Sequence, residues 1–185
     1  VFDSDVGEAF AEMARKELGV EILGVAYYGT RHVNLRGDKK INTPKDMEGI
    51  KLRMPGGESW QFLGASLGAN PVPIPYTETY TALQTGVIDG QDNPLPNDKA
   101  MKFYEVQSHI ALTNHFVASS AVQISKSVWD GLSDQEKEWV QTAVEAGGDV
   151  SDELTFKAEK DLLETFEERG LTITEPDLEP FRAAM

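Results

Sequence analysis

The sequence predicts an α/β protein. Amphipathic helical patterns alternate with short apolar, β-rich runs, and the connections between them are short and marked by Gly or Pro. No repeat period and no low-complexity segment interrupts the alternation. At 185 residues the chain can bury a proper core, as one large domain or as two small lobes. No Pro/Ser-rich linker divides it, so two lobes would be joined through strands rather than by a loose tether.

Residues 5–18 read as an amphipathic helix with Val6, Phe10, Met13, Ala14 and Leu18 on one face and Gly19 as its stop. Residues 20–28 are β-rich, and Gly29-Thr30 is expected to break that strand. Thr43, Pro44 and Asp46 supply a cap, a first-position proline and a first-turn acid, which predict a short helix ending near Gly49. Ile50, Leu52 and Met54 alternate with Lys51 and Arg53, the pattern of a strand, and Pro55 closes it. Residues 58–67 form a helix around Trp60, Phe62, Leu63 and Leu67, ended by Gly68. Pro71, Pro73 and Pro75 suit an extended strand end or connector.

Thr77 is placed as the cap of a helix running to Gln84. A short buried strand at Val87-Ile88 and a turn at Asp89-Gly90 follow. Residues 96–103 form a short helix, and residues 106–112 and 117–125 two extended segments. The stretch 116–124 is apolar enough for a buried strand. Ser125 or Ser127 caps a short helix, and Ser133 to Glu136 is a capping box that opens a long helix to about Arg169. Gly147-Gly148 is a hinge or kink within it. Trp129, Trp139 and Val140 read as core. Residues 171–174 are a short strand, and 175–185 begin a last helix.

The net charge of −14 argues against nucleic acid and anionic membrane surfaces, which require a basic patch. The densest basic cluster, Arg36, Lys39 and Lys40, contains Asp38. An acidic protein that binds an anion needs local arginines to override its field. There is no cysteine, hence no disulfide or thiol chemistry. No apolar run spans a bilayer, and no signal-peptide pattern is present. The opening Val1-Phe2-Asp3 lacks a methionine and reads as a missing natural N-terminus. His32, His109 and His115 have no metal-ligand spacing, so no metal site is expected.

Arg53, at a strand end before Pro55-Gly56-Gly57, carries two readings. Its planar fork suits a bidentate carboxylate, which would make it the anchor of a small-acid site. Equally, it is one half of a stabilising salt bridge, with Glu78 as the partner. Asn93, between Asp92 and Pro94, either directs its amide into a cleft from a proline-rich turn or shapes that loop as an Asx-turn. Trp60 suits a sugar-stacking surface or a core position. Asp89, Asp92 and Glu78 would serve a hydrolase or isomerase, but no nucleophile–base pair accompanies them.

Taken together, Ile50–Pro55 (IKLRMP), Leu67–Pro73 (LGANPVP), Thr77–Asn93 (TETYTALQTGVIDGQDN) with Pro94-Leu95, and Lys102–Val106 (KFYEV) closely resemble the substrate-binding proteins of TRAP transporters, the tripartite ATP-independent periplasmic systems for organic acids. The likeness extends through Asn114-His115 and the capping-box helix. It implies a two-lobed, periplasmic-binding-protein-like (type II) α/β fold whose first lobe is incomplete here. Residues 1–28 and 119–158 would be the remainder of that lobe, and 29–118 with 159–185 the ligand-anchoring second lobe. It implies Arg53 as the carboxylate anchor, Arg31 as a second positive contact, Asn93 as a hydrogen-bonding ligand contact and Tyr76 in the cleft wall; Trp60 and Glu78 are further candidates. It implies a periplasmic protein that captures a small organic acid, a sugar acid such as a uronate or a dicarboxylate, and delivers it to a TRAP membrane permease. No catalytic residue, cofactor or membrane insertion is implied. The family's chains begin with further strand–helix units, so this chain is expected to be a fragment lacking the N-terminal part. Sialic-acid binders of the family carry a polar residue where this chain has Gly56. Two rivals remain: the hydrolase or isomerase above, and an acid-sensing domain of the same fold without a transport role.

Overall fold

The protein is described by a computed structural model covering residues 4–184. It divides into two units, Val1–Tyr28 with Ala118–Phe156 and Gly29–Val117 with Lys157–Met185. Three long elements contribute to both: strands β1 (Val20–Leu35) and β5 (His109–Ser125), and helix α6 (Asp134–Glu168).

The smaller unit opens with helix α1 (Asp5–Met13), whose last turn widens into a π-helical Ala14–Leu18 before Gly19 stops it in the left-handed region. Arg15 clasps Glu21 with two hydrogen bonds of 2.6 and 2.5 Å. Tyr27 stacks on Phe156 at 4.4 Å. A short helix α5 (Lys126–Gly131) precedes α6, and Ser133 and Glu136 form the expected capping box: Ser133 N donates to Glu136 Oε2 at 2.8 Å, and Glu136 N to Ser133 Oγ at 3.4 Å. Among the described residues this unit buries only Ala14, Leu23 and Ala118 as apolar side chains. Val6, Phe10, Met13 and Leu18 are exposed, and so is Trp139, at 64 %. The expected Trp129–Trp139–Val140 core is therefore not formed. Helical periodicity identifies an apolar face, not what covers it.

The larger unit carries a mixed sheet in the order β3-β2-β4-β1-β5-β6, where β2 is Lys51–Met54, β3 Asn70–Pro73, β4 Gly90–Pro94 and β6 Thr172–Thr174. β2 is parallel to β3 and β4, β5 is parallel to β6, and β1 is antiparallel to β4. Arg31, Val33 and Leu35 lie opposite Pro94, Asp92 and Gly90, while His32 and Asn34 lie opposite Asn93 and Gln91. Leu52 is in register with Gly90, and Arg53 with Gln91. Residues in register share a face. One face thus holds Arg31, Val33, Leu35, Leu52, Met54 and Asp92. The other holds His32, Asn34, Arg53, Gln91 and Asn93.

Both faces are covered. Helix α2 (Glu58–Ser66) packs Trp60 and Leu63, and helix α7 (Glu179–Ala184) packs Phe181, against Val33, Leu35, Leu52 and Met54. On the other side, Ala82 and Leu83 of helix α3 (Thr79–Thr85) pack with Phe103 and Val72. Leu95 of helix α4 (Leu95–Ala100) joins Ile110, Leu162 and Phe166. Among the described residues no helix is long and apolar enough to cross a membrane.

Several local expectations are corrected. Gly29-Thr30 does not break β1, which runs on to Leu35. Gly29 has φ +127, and a Cβ there would lie 2.6 Å from that of Pro94, so the glycine serves a close approach. Val87-Ile88 is not a strand: Val87 is exposed, Ile88 is buried against α3, and the strand begins at Gly90. Gly90 lies in the ladder rather than a turn, and a Cβ there would meet Leu35 and the Asn34 carbonyl. The two segments at 106–125 merge into β5, with Phe116 and Val117 exposed rather than buried. Thr77 lies in a 3-10 turn, and Glu78 takes the cap position of α3. α6 continues through Gly147-Gly148. The last helix ends within the description at Ala184, and Met185 lies outside the described residues.

This division of burial sets two substitutions apart. Phe166→Ala should cost about 3–5 kcal/mol of stability, as a deleted core aromatic does, and Trp139→Ala should stay within about 0.5 kcal/mol. Urea unfolding curves check both; a Trp139→Ala loss as large as that of Phe166→Ala would contradict the burial described.

Candidate functional site

The C-terminal ends of the parallel strands β2 and β4 meet the antiparallel β1 at Arg53, Asn93 and Arg31. Ligands in open α/β sheets sit at such strand ends. Arg53 is buried, with 3 % of its surface exposed. Its Nε donates to the Ile74 carbonyl at 2.8 Å, and its guanidinium carbon lies 5.8 Å from the centre of the Tyr76 ring. Among the described residues it makes no ion pair, so the expected alternative, a salt bridge with Glu78, is not formed. Glu78 is exposed on its 3-10 turn. Burial pulls the Arg53 guanidinium below its ordinary value; the charge of Asp92 opposes that shift, Arg31 adds to it and Tyr76 opposes it. Asp92, Arg31 and Tyr76 thus all lie within electrostatic reach of Arg53.

Arg31 is held differently. Its Nε donates to Asp92 Oδ2 at 2.7 Å, and its Nη2 donates to Asp92 Oδ1 at 3.1 Å and to the Asp92 carbonyl at 2.6 Å. The guanidinium lies 4.7 Å over the Trp60 ring, which meets Phe116 edge-on at 5.6 Å. His115 Nε2 lies 3.3 Å from Asp92 Oδ2, and its Nδ1 lies 2.7 Å from Thr113 Oγ1. Burial alone would raise the Asp92 carboxyl, but hydrogen bonds from His115 and Arg31 and the charge of Arg31 outweigh it and hold the group below its ordinary value. Trp60 is thus engaged with Arg31 and also packs on the core beneath it.

Asn93 sits inside a fully buried strand, not in a proline-rich turn; Pro94 ends that strand. Asn93 Nδ2 donates to Gln91 Oε1 at 2.5 Å, and Gln91 Nε2 donates to Asp98 Oδ1 at 2.7 Å. Tyr76 accepts a hydrogen bond from Asn97 Nδ2 at 3.3 Å and meets Phe103 edge-on. Helix α4 therefore steadies two of the expected residues, Tyr76 through Asn97 and Asn93 through Asp98 and Gln91. Two of the three carboxylates considered for catalysis are separately engaged, Asp89 Oδ2 accepting from Lys51 N at 2.9 Å and Asp92 binding Arg31, while Glu78 is exposed.

Sequence reasoning gives no ligand-site role to Gln91, Asp98 or His32, which lie on the face of Arg53 and Asn93 or beside it. Once β4 is known to be a strand, alternation puts Gln91 on the face of Asn93, and antiparallel register puts His32 directly opposite Asn93. Asp98 has no local sequence signal beyond an acid in the first turn of α4.

Comparison with known proteins gives a consistent result. The family model described as "Bacterial extracellular solute-binding protein, family 7" matches residues 1–185. The chain is 40 % identical over 185 residues to the sialic acid-binding periplasmic protein SiaP of Vibrio cholerae, covering all of this chain and 57 % of that protein. A TRAP periplasmic solute binding protein of Roseobacter denitrificans, solved with bound 3-deoxy-D-manno-oct-2-ulosonic acid, superimposes with a TM-score of 0.96 at 48 % identity, over 99 % of this chain and 61 % of that one. Another from the same organism, with bound β-D-glucuronate, gives a TM-score of 0.92 at 32 % identity, over all of this chain and 61 % of that one. The chain thus spans about three fifths of the length of these relatives.

Burial, with a smaller push from His115, lowers the His32 imidazole from 6.5 to about 4. The folded state therefore favours neutral His32. Its contribution to stability is complete above about pH 6.5 and is lost as the pH falls toward 4, by about 3 kcal/mol in all. Denaturation at pH 7 and pH 4 should show that slope, and His32→Gln should flatten it; equal slopes in both proteins would assign the titration to another group.

Proposed function

This chain belongs to the bacterial extracellular solute-binding proteins of family 7, and we propose that its larger unit is the acid-anchoring lobe of a TRAP transporter's periplasmic binding protein. In this reading Arg53 receives the carboxylate of a polyhydroxylated sugar acid, and the protein passes that acid to the membrane permease. It is a periplasmic binding protein, not an enzyme.

The observation that carries the reading is the state of Arg53. A buried guanidinium is costly unless paired, and its remaining donors suit a carboxylate held by two parallel bonds. Among the described residues its one hydrogen bond goes to the Ile74 carbonyl. Arg31, committed to Asp92, adds positive field at the same strand ends and is a secondary contact. Asn93 supplies a polar amide on the Arg53 face of the sheet, and the Arg53 guanidinium lies over the Tyr76 ring. The likeness to proteins solved with an octulosonic acid and with a uronate supports a sugar acid over a plain dicarboxylate, since each of those ligands joins one carboxylate to several hydroxyls.

The test is titration calorimetry of the full-length protein with D-glucuronate. Arg53→Ala should cost about 2–5 kcal/mol of binding, as loss of one partner of a desolvated charge pair does. Arg53→Lys should also weaken binding, because a point charge does not reproduce the fork. Affinity within about twofold of the unaltered protein for Arg53→Ala, a difference of well under 1 kcal/mol, would make Arg53 structural.

A further inference from the structure

Asn114 breaks the pleat of β5 immediately before His115. Its φ is +45, in the left-handed region that few residues besides Gly, Asn and Asp visit, and its Nδ2 donates to the Leu112 carbonyl at 3.3 Å. A regular strand sends successive side chains to opposite faces. His115 and Phe116 are consecutive, yet both serve the Arg31 side. His115 Nε2 lies 3.3 Å from Asp92 Oδ2, and Phe116 meets Trp60, whose ring the Arg31 guanidinium covers. An irregular residue within a strand re-aims the side chains beside it. Thr113, on the other side of Asn114, completes the hold. Val33 N donates to Thr113 Oγ1 at 3.2 Å, and Thr113 Oγ1 lies 2.7 Å from His115 Nδ1. The side chains of His115 and Asp92 are both 0 % exposed. An ionised carboxylate only accepts, so His115 Nε2 carries the hydrogen of the bond to Asp92. The Thr113 oxygen takes the Val33 N–H, and its own hydrogen goes to His115 Nδ1.

We propose that Asn114 is a positioning residue: its left-handed conformation, braced by Thr113, sets the His115 imidazole on Asp92, so that Asp92 stays turned to Arg31 and Arg53 is left to the acid. The inference rests on the reading that Arg53 receives the ligand carboxylate. Three donors, Arg31 Nε, Arg31 Nη2 and His115 Nε2, share the Asp92 carboxylate. Asp92 also lies within electrostatic reach of Arg53, where its negative charge opposes an incoming carboxylate. Each hydrogen bond that Asp92 accepts draws charge from its oxygens. Losing the His115 bond therefore weakens the acid's hold on Arg53. The Asn114 side chain is exposed, so it adds little packing, and its contribution is the backbone conformation it tolerates. The plainer role, a kink needed only for folding, predicts a loss of stability without a change in affinity.

Calorimetry of the full-length protein with D-glucuronate, alongside thermal melts and histidine nitrogen NMR, separates the two. Asn114→Ala, which tolerates the left-handed conformation poorly, should weaken glucuronate binding by about fivefold, the worth of one hydrogen bond. It should also move the His115 nitrogens away from the Nε2–H form. Asn114→Gly, which adopts that conformation freely, should hold the affinity within about twofold and keep the His115 signal. Should Asn114→Ala fail to give a cooperative melt, Thr113→Val, which removes the hydroxyl on Nδ1, should weaken binding by the same factor, and Thr113→Ser should restore it. Asn114→Gly that weakens binding as much as Asn114→Ala or Thr113→Val would place the role in the side chain and overturn the proposal. A folded Asn114→Ala or Thr113→Val that keeps both the affinity and the His115 signal, while Arg53→Ala loses affinity, overturns the positioning role alone. Arg53→Ala that binds glucuronate as tightly as the unaltered protein overturns the underlying site.

Discussion

One carboxylate lies within reach of two buried arginines, and the pleat of β4 decides which of them it serves. Asp92 projects to the face of Arg31, where Nε and Nη2 of that arginine and Nε2 of His115 converge on it. Gln91 and Asn93 project to the opposite face, that of Arg53. Because successive side chains on a strand alternate, Asp92 cannot serve both arginines without a register slip, which would also turn the core residues of this sheet to the wrong face. Arg31 is neutralised within the fold. Arg53 keeps its charge without a protein counter-ion among the described residues.

The elements around this strand hold the arrangement in place. Gly29 and Gly90 let backbone and side chains approach where a Cβ would collide with Pro94 or with Leu35. Helix α4 follows β4 directly and reaches back to it through Asp98 and to Tyr76 through Asn97. On the other face Trp60 of α2 lies over the Arg31 guanidinium, a contact that favours a cation partly withdrawn from water. Each side chain near the Arg53 guanidinium is thus itself restrained by a neighbour, which is what a site needs if it is to hold a small acid in one orientation.

Much of this was legible in the sequence, and the misses have physical causes. β2 was readable because Ile50, Leu52 and Met54 alternate cleanly with Lys51 and Arg53, and Pro55 marks the end. β4 was not, because a buried strand made of Gly, Gln, Asp, Asn and Pro has the composition of a turn; its polar residues are satisfied by tertiary partners that no local pattern reveals. For the same reason the sequence pattern places Asn93 in a turn and gives no signal for Gln91 or Asp98. In the smaller unit the periodicity of α1 was read correctly as amphipathic, yet Val6, Phe10, Met13 and Leu18 are exposed. Residue spacing determines which side of a helix is apolar, and burial depends on what packs there.

Arg53 makes no ion pair among the described residues, and its proposed partner is the carboxylate of an acid. A crystal structure of the full-length protein with D-glucuronate tests it most directly. The uronate carboxylate should lie within about 3 Å of two guanidinium nitrogens of Arg53, with Arg31 still on Asp92. A carboxylate bound elsewhere, or Asp92 released from Arg31 to neutralise Arg53, would contradict it.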